Sequence, residues 1–458
     1  MLVFTRHWQS DREGTFEMHD RRAVMRVRVT GGDTSTVGHV GVHMLGELAD
    51  RIGLTTALSD SFLPAGERLP VHDRGRLLVQ AAITAASGGV CVADVAVCRN
   101  QPALFGEVAS DTTFWRTFNS IDAAGLDRLR AARATARAQV WRRCEVGDAD
   151  EVIIDVDATL IEIHSENKQG ATPHYKRGFG FHPMLAFTAD GQALAGILRP
   201  GNAAANSGVD QLAVVDLALA QLPPQTDGEP RRVLVRADTA GDVATFIDGL
   251  VAREVEFSIG ARVADYLTAA IRAVPDDAWQ SAVNTDGKPR NGAQIAVLDT
   301  SSERWPSGTR AIVRREHPHP GAQLRLWDHA GWRHQVTLTN SAGDPVALEL
   351  RHRRHAEMEN HIRNLKACGA ERLPFTKLSA NQAWFETILT AADLLRFAQM
   401  LVLDGDLARV EPKTLRYRLL HAPGRLVHTA RHVMLRINDT WPWATGLLGA
   451  YQRLHLIT

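Results

Sequence analysis

The sequence predicts a mixed α/β protein, a strand-rich centre with helices packed on it, flanked by mainly helical N- and C-terminal regions. Three observations carry this prediction. Apolar residues recur at helical spacing before residue 147 and again after residue 350. Between about 150 and 262, three strand-like runs give way to a helix–strand–helix–strand alternation, the pattern of helices laid on a sheet. The 458 residues, 45% hydrophobic and 23% charged, also exceed what one core normally supports.

In chain order, GVHMLGELADRIGL (41–54) and RGRLLVQAAITAASG (74–88) read as amphipathic helices. The run RLRAARATARAQVWRR (128–143) holds six arginines, among them Arg130, Arg133 and Arg137, and no acidic residue. A solvated helix with snorkelling arginines is one reading. Six like charges without a counter-charge repel, which favours a helix facing a polyanion such as the DNA backbone.

The strand-rich part opens with EVIIDVDATLIEIH (151–164). HPMLAFTA (182–189) and ALAGILRP (193–200) follow as a hairpin joined near Asp190-Gly191. A helix (209–222), the strand RRVLVRAD (231–238), a second helix (242–253) and the strand EFSIGAR (256–262) complete it. QIAVLDT, TRAIVRRE, QLRLW and RHQVTLTN then form a β-rich insertion, and the chain reads as helical from 350 to the end. The expected divisions are 1–147, 148–264, 265–345, 346–402 and 403–458.

Fifty-two Lys+Arg balance 52 Asp+Glu, and taken alone a net charge of zero argues against a nucleic-acid partner. The charges are segregated, however: residues 148–166 carry seven acidic residues and no Lys or Arg. No run of about 18 apolar residues exists, and the N-terminus lacks a basic-then-apolar signal, so a soluble, non-exported, cytoplasmic protein without a membrane segment is expected. Cys91, Cys98, Cys144 and Cys368 form no CxxC pair and read as reduced, buried thiols.

Three acidic positions suit a site for divalent ions, which take oxygen ligands and, in pairs, promote phosphodiester chemistry. Asp155 and Asp157 share one face of an otherwise apolar strand, and unpaired buried carboxylates are costly, so a metal or paired cations are implied. Asp238 ends RRVLVRAD, where ligands bind in open α/β sheets and where Asp also caps helices. Glu359 lies in RHRRHAEMENHIRNLK (351–366), read as one helix with Met358, Ile362 and Leu365 as its apolar stripe. Glu359 shares a flank with His355, Arg363 and Lys366, as a surface salt-bridged helix or a metal ligand beside DNA phosphate would.

Together these segments resemble the DDE-type insertion-sequence transposases, specifically insertion sequence family 1380 in the insertion-sequence-four-like group. The stretches that carry the resemblance are ASDTTFWRTFNSI (109–121), DVDATLIEIHSENKQGATPHYKRGFGFHPMLAF (155–187), LRPGNAAANSGVD (198–210), VRADTAG (235–241), MENHIRNLK (358–366) and the tail 400–444. The resemblance implies an RNase H-like catalytic core with a β insertion, and a catalytic, metal-binding triad of Asp157, Asp238 and Glu359 using two Mg²⁺ or Mn²⁺ ions. Asp155 is implied as an accessory neighbour. Where the family has Tyr and Arg ahead of its Glu, this chain has His352 and His355.

The resemblance further implies cut-and-paste transposition on double-stranded DNA, with terminal inverted repeats and target DNA as substrates and a homodimer on DNA. Lys366, Arg363 and His355 are expected at phosphate near the scissile bond. Lys176 and Arg177, in HYKRGFGF, could approach the backbone, though a plain β-turn fits that segment equally. Residues 1–147, with Arg130, Arg133 and Arg137, are the candidates for reading the DNA ends. Trp305, Trp327 and Trp332 could stack a base, core packing being the commoner fate. Two other readings are a transposase-derived DNA-binding protein without activity, and an RNase H-like nuclease that hydrolyses without joining strands.

Overall fold

A computed structural model describes residues 35–63, 71–147, 151–225, 231–299, 304–318, 321, 330–430 and 432–457. The first 34 residues and the strand expected at QLRLW, with Trp327, lie outside these. The centre is a nine-stranded sheet. Its strands in chain order are β1 (Val152–Ala158), β2 (Met184–Thr188), β3 (Ala193–Ile197), β4 (Val233–Ala237), β5 (Glu256–Ala261), β6 (Gln280–Val283), β7 (Pro289–Leu298), β8 (Arg310–Glu316) and β9 (Arg333–Thr339). They lie side by side in the order β6-β7-β8-β9-β5-β4-β1-β2-β3.

β1 pairs parallel with β4, and β4 parallel with β5, so their carboxyl ends share one edge. The hairpin around Asp190-Gly191 pairs β2 antiparallel with β1 and with β3. The β-rich insertion is no separate sheet: β9 pairs with β5 and extends the central sheet through β8, β7 and β6. Local strand patterning marks each strand but not its neighbour, so the pairing of the insertion with β5 is not readable from the sequence.

Among the helices are α1 (Val40–Arg51), α2 (Leu54–Ser61), α3 (Arg74–Ala86), α4 (Asp111–Ser120), α5 (Ala123–Arg143), α6 (Gly208–Leu219), α7 (Ala244–Val251), α8 (Pro345–Arg353), α9 (Met358–Leu365), α10 (Leu378–Leu401) and α11 (Ala444–His455). Strand alternation turns Val152, Ile154 and Val156 to one face, where they join Val214 and Val215 of α6 and Phe246, Ile247 and Leu250 of α7 in a core. Asp155 and Asp157 therefore face the other way. A larger core lies there, built by the N-terminal helices, α9 and α10, with Leu185 and Phe187 of β2 joining from the sheet. The 24 residues of α10 pack against α3, α5 and β3, which explains why Trp384, Phe385, Ile388 and Leu389 are buried.

Two expectations need correction. The 351–366 stretch is not one helix, because a 3-10 turn at Arg354–Glu357 separates α8 from α9. Nor is the chain helical to its end: Gly424–His428 and Val433–Ile437 form a hairpin that also pairs with Thr36–Val37. The alternation in GRLVH and VMLRI is too short to stand out among helices, and its partner lies near the opposite terminus. Among the described residues, no helix is long and apolar enough to cross a membrane.

Candidate active site

Asp157 sits at the carboxyl end of β1, one residue before the strand stops. Asp238 follows β4 immediately and caps a 3-10 turn, its Oδ1 accepting from the Ala240 amide at 2.9 Å. The N-capping role open to this residue is therefore realised, and its exposed carboxylate keeps a free oxygen. Glu359 is exposed in the first turn of α9, whose Met358, Ile362 and Leu365 are buried as the stripe predicts.

Asp157 feels the other two carboxylates. Burial pushes the Asp157 carboxyl up to about 6, and the charges of Asp238 and then Glu359 push the same way, against the Ala158 amide and His355. As the side chains stand, no three His, Cys, Asp or Glu among the described residues are gathered closely enough to hold an ion. Like charges oppose that convergence until a cation compensates them, so a change of rotamers has to accompany binding. In kind the donors fit: hard oxygens on three elements, with Asp157 bonded only to its neighbour's amide at 2.7 Å.

Beneath them runs a buried polar row. Register places Asp155 beside Arg236, and Arg236 beside Ser258. Arg236 donates from Nε and Nη2 to the two Asp155 oxygens at 2.8 and 2.6 Å. His355 Nδ1 lies 2.7 Å from Asp155 Oδ1, and Ser258 Oγ lies 3.0 Å from His352 Nδ1. Burial alone pushes the Asp155 carboxyl up, but the His355 and Arg236 interactions outweigh it and hold the group below its usual value. Burial, with the His355 and Arg236 charges, pushes His352 down to about 3, so its ring is neutral.

His355, expected near phosphate, is turned towards the sheet and bonded to Asp155. Of the choice posed for Asp155, metal or paired cations, the second is realised. Arg236 was not among the sequence candidates. The available signal was its position in RRVLVRAD, two residues before Asp238 and thus on the same face of an apolar strand.

The arginine-rich helix is not without counter-charge. Arg133 and Arg137 of α5 are buried and pair with α10: Arg133 with Glu386 at 2.8 Å and Asp393 at 3.0 Å, Arg137 with Asp393 at 2.6 Å. Arg130 pairs with Glu386 at 2.7 Å, and Arg128 lies over the Phe62 ring. The counter-charge for Arg130, Arg133 and Arg137 is thus the protein's own carboxylates, Glu386 and Asp393.

Lys366 donates to the Leu160 carbonyl at 3.1 Å, which leaves two of its ammonium hydrogens. Arg363 is exposed and holds Glu411 at 2.8 Å. Between β1 and β2 the chain forms a flap of three short strands, Ile161–Ile163, Thr172–Pro173 and Phe179–Phe181. A Cβ on Gly180 would meet the Ile161 carbonyl oxygen at 2.2 Å, so only glycine allows these strands to close. At the tip, His174–Gly178 is a tight turn with Arg177 at φ 63°, presenting exposed Tyr175, Lys176 and Arg177.

Trp305 is buried against Tyr266, and Trp332 stacks on His317 with ring centroids 3.7 Å apart. A cavity of about 320 Å³ on the far flank of α9, bordered by His361, Asn364 and Arg396, excludes the three carboxylates.

Asp157 thus lies at the end of the first strand, Asp238 directly after the fourth, and Glu359 on a later helix. Residues 17–458 match the family model described as Transposase DDE domain group 1, and the chain belongs to that family. It is a DDE-family transposase. Among solved structures it is similar to the cryo-EM structure of the piggyBac transposase synaptic complex with hairpin DNA, at 10% identity and a TM-score of 0.37, over 83% of this chain and 79% of that one. No curated protein matches it.

Proposed function

We propose that this transposase cleaves DNA at the ends of a mobile element and joins them to target DNA, using Asp157, Asp238 and Glu359 as its catalytic and metal-binding carboxylates. The observation that carries the reading is the placement of Asp157 and Asp238 at the carboxyl ends of two paired parallel strands, with Glu359 near enough for its charge to help push the Asp157 carboxyl up. The strand order supports an RNase H-like core, with Asp157 on the central first strand and Asp238 after the fourth. Membership of insertion sequence family 1380 rests on the motif resemblance.

Asp157, Asp238 and Glu359 would hold one or two Mg²⁺ or Mn²⁺ ions, which when bound supply activation of water or a 3′-OH and stabilise the leaving oxygen. Around them the chain's own groups bind and orient. Lys366, through its two free hydrogens, and Arg363, by exchanging Glu411 for phosphate, neutralise the backbone at the scissile bond. Lys176 and Arg177 grip the backbone at the flap tip, where their partner exchange costs little because both are exposed. Residues 1–147 contact the terminal inverted repeats with surfaces other than the buried arginine face, and a homodimer brings two ends together.

The test is Mg²⁺- or Mn²⁺-dependent cleavage of duplexes carrying the element's terminal repeat. Asp157→Ala, Asp238→Ala and Glu359→Ala are each expected to lose cleavage while keeping DNA binding. Cleavage unchanged in all three overturns the triad. Cleavage without a strand-transfer product favours the nuclease reading instead.

A further inference from the structure

Each candidate carboxylate has a buried polar residue behind it on its own segment. Asp155 precedes Asp157 by two residues on β1, Arg236 precedes Asp238 by two at the end of β4, and His355 precedes Glu359 by four. The three rear residues bind one another: the Arg236 guanidinium grips both Asp155 oxygens, and His355 takes one of them from the other side. Their side chains are 1%, 0% and 12% exposed for Arg236, Asp155 and His355.

Asp157 and Asp238 need no side-chain clasp, because the parallel β1–β4 ladder already sets their elements in register. Glu359 has no such constraint. Its helix begins just after the 3-10 turn that interrupts 345–365, so neither α8 nor the sheet dictates its rotation. An apolar stripe buries one side of α9, but packing of this kind tolerates small rotations and slides.

Three polar clasps fasten this junction to the sheet within five residues. Arg236 Nη1 donates to the Arg351 carbonyl, Ser258 meets His352, and Asp155 meets His355. Buried ion pairs add little net stability compared with apolar residues of the same volume, so their value here lies in geometry.

We propose that Asp155, Arg236 and His355 act as positioning residues that fix Glu359 relative to Asp157 and Asp238, and so set divalent-ion affinity. The inference rests on the reading of those three carboxylates as metal ligands. It makes metal affinity a property that the buried row controls.

The test is a titration of the full chain with Mn²⁺, free ion being followed by its EPR signal, alongside thermal unfolding. Wild type is expected to bind and Asp157→Ala to lose binding. His355→Ala, which leaves the Asp155–Arg236 pair intact, is expected to bind Mn²⁺ about tenfold or more weakly, as losses behind metal ligands generally do. His355→Asn, whose amide nitrogen can replace Nδ1, is expected to recover most of the affinity. Should His355→Ala fail to fold, His355→Leu retains the volume and carries the same expectation.

His355→Ala binding within twofold of wild type, while Asp157→Ala loses binding, overturns the positioning role alone. An equal loss in His355→Asn and His355→Ala overturns it too. No Mn²⁺ binding by wild type, or binding indifferent to Asp157→Ala, overturns the metal reading beneath it.

Discussion

Arg137 and Asp393 lie 256 positions apart, yet the Arg137 guanidinium donates to the Asp393 carboxylate at 2.6 Å with both side chains almost wholly buried. The same carboxylate receives Arg133, and its other oxygen accepts from the Ala193 amide of β3. One acid thus joins α5, α10 and the sheet. Asp393→Ala leaves buried cations with too few partners, and we expect it to cost about 3–5 kcal/mol, read as a lower midpoint in urea. A change under about 1 kcal/mol would mean that water enters this site.

Asp157 gives a pH prediction. Its carboxyl is raised from 3.8 to about 6 in the fold, so the fold favours the protonated form. The stability tied to that preference is complete below about pH 4 and is lost as pH rises through 6. In EDTA at pH 7.5, Asp157→Asn is therefore expected to be more stable than wild type by about 1–2 kcal/mol, each pKa unit being worth about 1.4 and partial exposure reducing the effect. The difference should vanish near pH 4. Millimolar Mn²⁺ should reverse the order at pH 7.5, since only wild type gains from binding.

Phosphate contacts are expected at the flap tip and not on α5. Lys176→Ala and Arg177→Ala should each lower the slope of log affinity for a DNA duplex against log salt by about 1. Arg130→Gln should leave the slope unchanged, because Arg130 is engaged with Glu386. Anisotropy titrations at several salt concentrations read both.

Lys366 ties the flap's root to α9 through the Leu160 carbonyl. Lys366→Met keeps the apolar stem and removes the donor. Amide hydrogen exchange in Ile161–Ile163 and Phe179–Phe181 is expected to speed up several-fold, with α10 unaffected. Equal exchange in both proteins would make Lys366 a free cation in practice.

Much of this was legible from residues alone. Alternation and helical spacing located the strands and helices around Asp157 and Asp238, because those elements bury one face each. What sequence could not supply was partnership. The six arginines of 128–143 look uncompensated locally, while Glu386 and Asp393, which neutralise three of them, stand some 250 residues later. The same limit hid the partner of His355, which lies in the 3-10 turn and meets Asp155, some 200 residues earlier. That the β insertion continues the central sheet was not legible, because strand propensity says nothing about which edge a strand joins. Acidic residues do gather at 148–166, whereas Arg133 and Arg137 of the arginine run belong to the interior and Arg128 and Arg142 stay exposed.

The most direct measurement is an anomalous difference map at the manganese edge from crystals of the protein bound to an element-end duplex and Mn²⁺. A peak flanked by Asp157, Asp238 and Glu359, beside the terminal phosphodiester, is the predicted result. Manganese bound elsewhere, or DNA ends held with these carboxylates turned away from any ion, would contradict it.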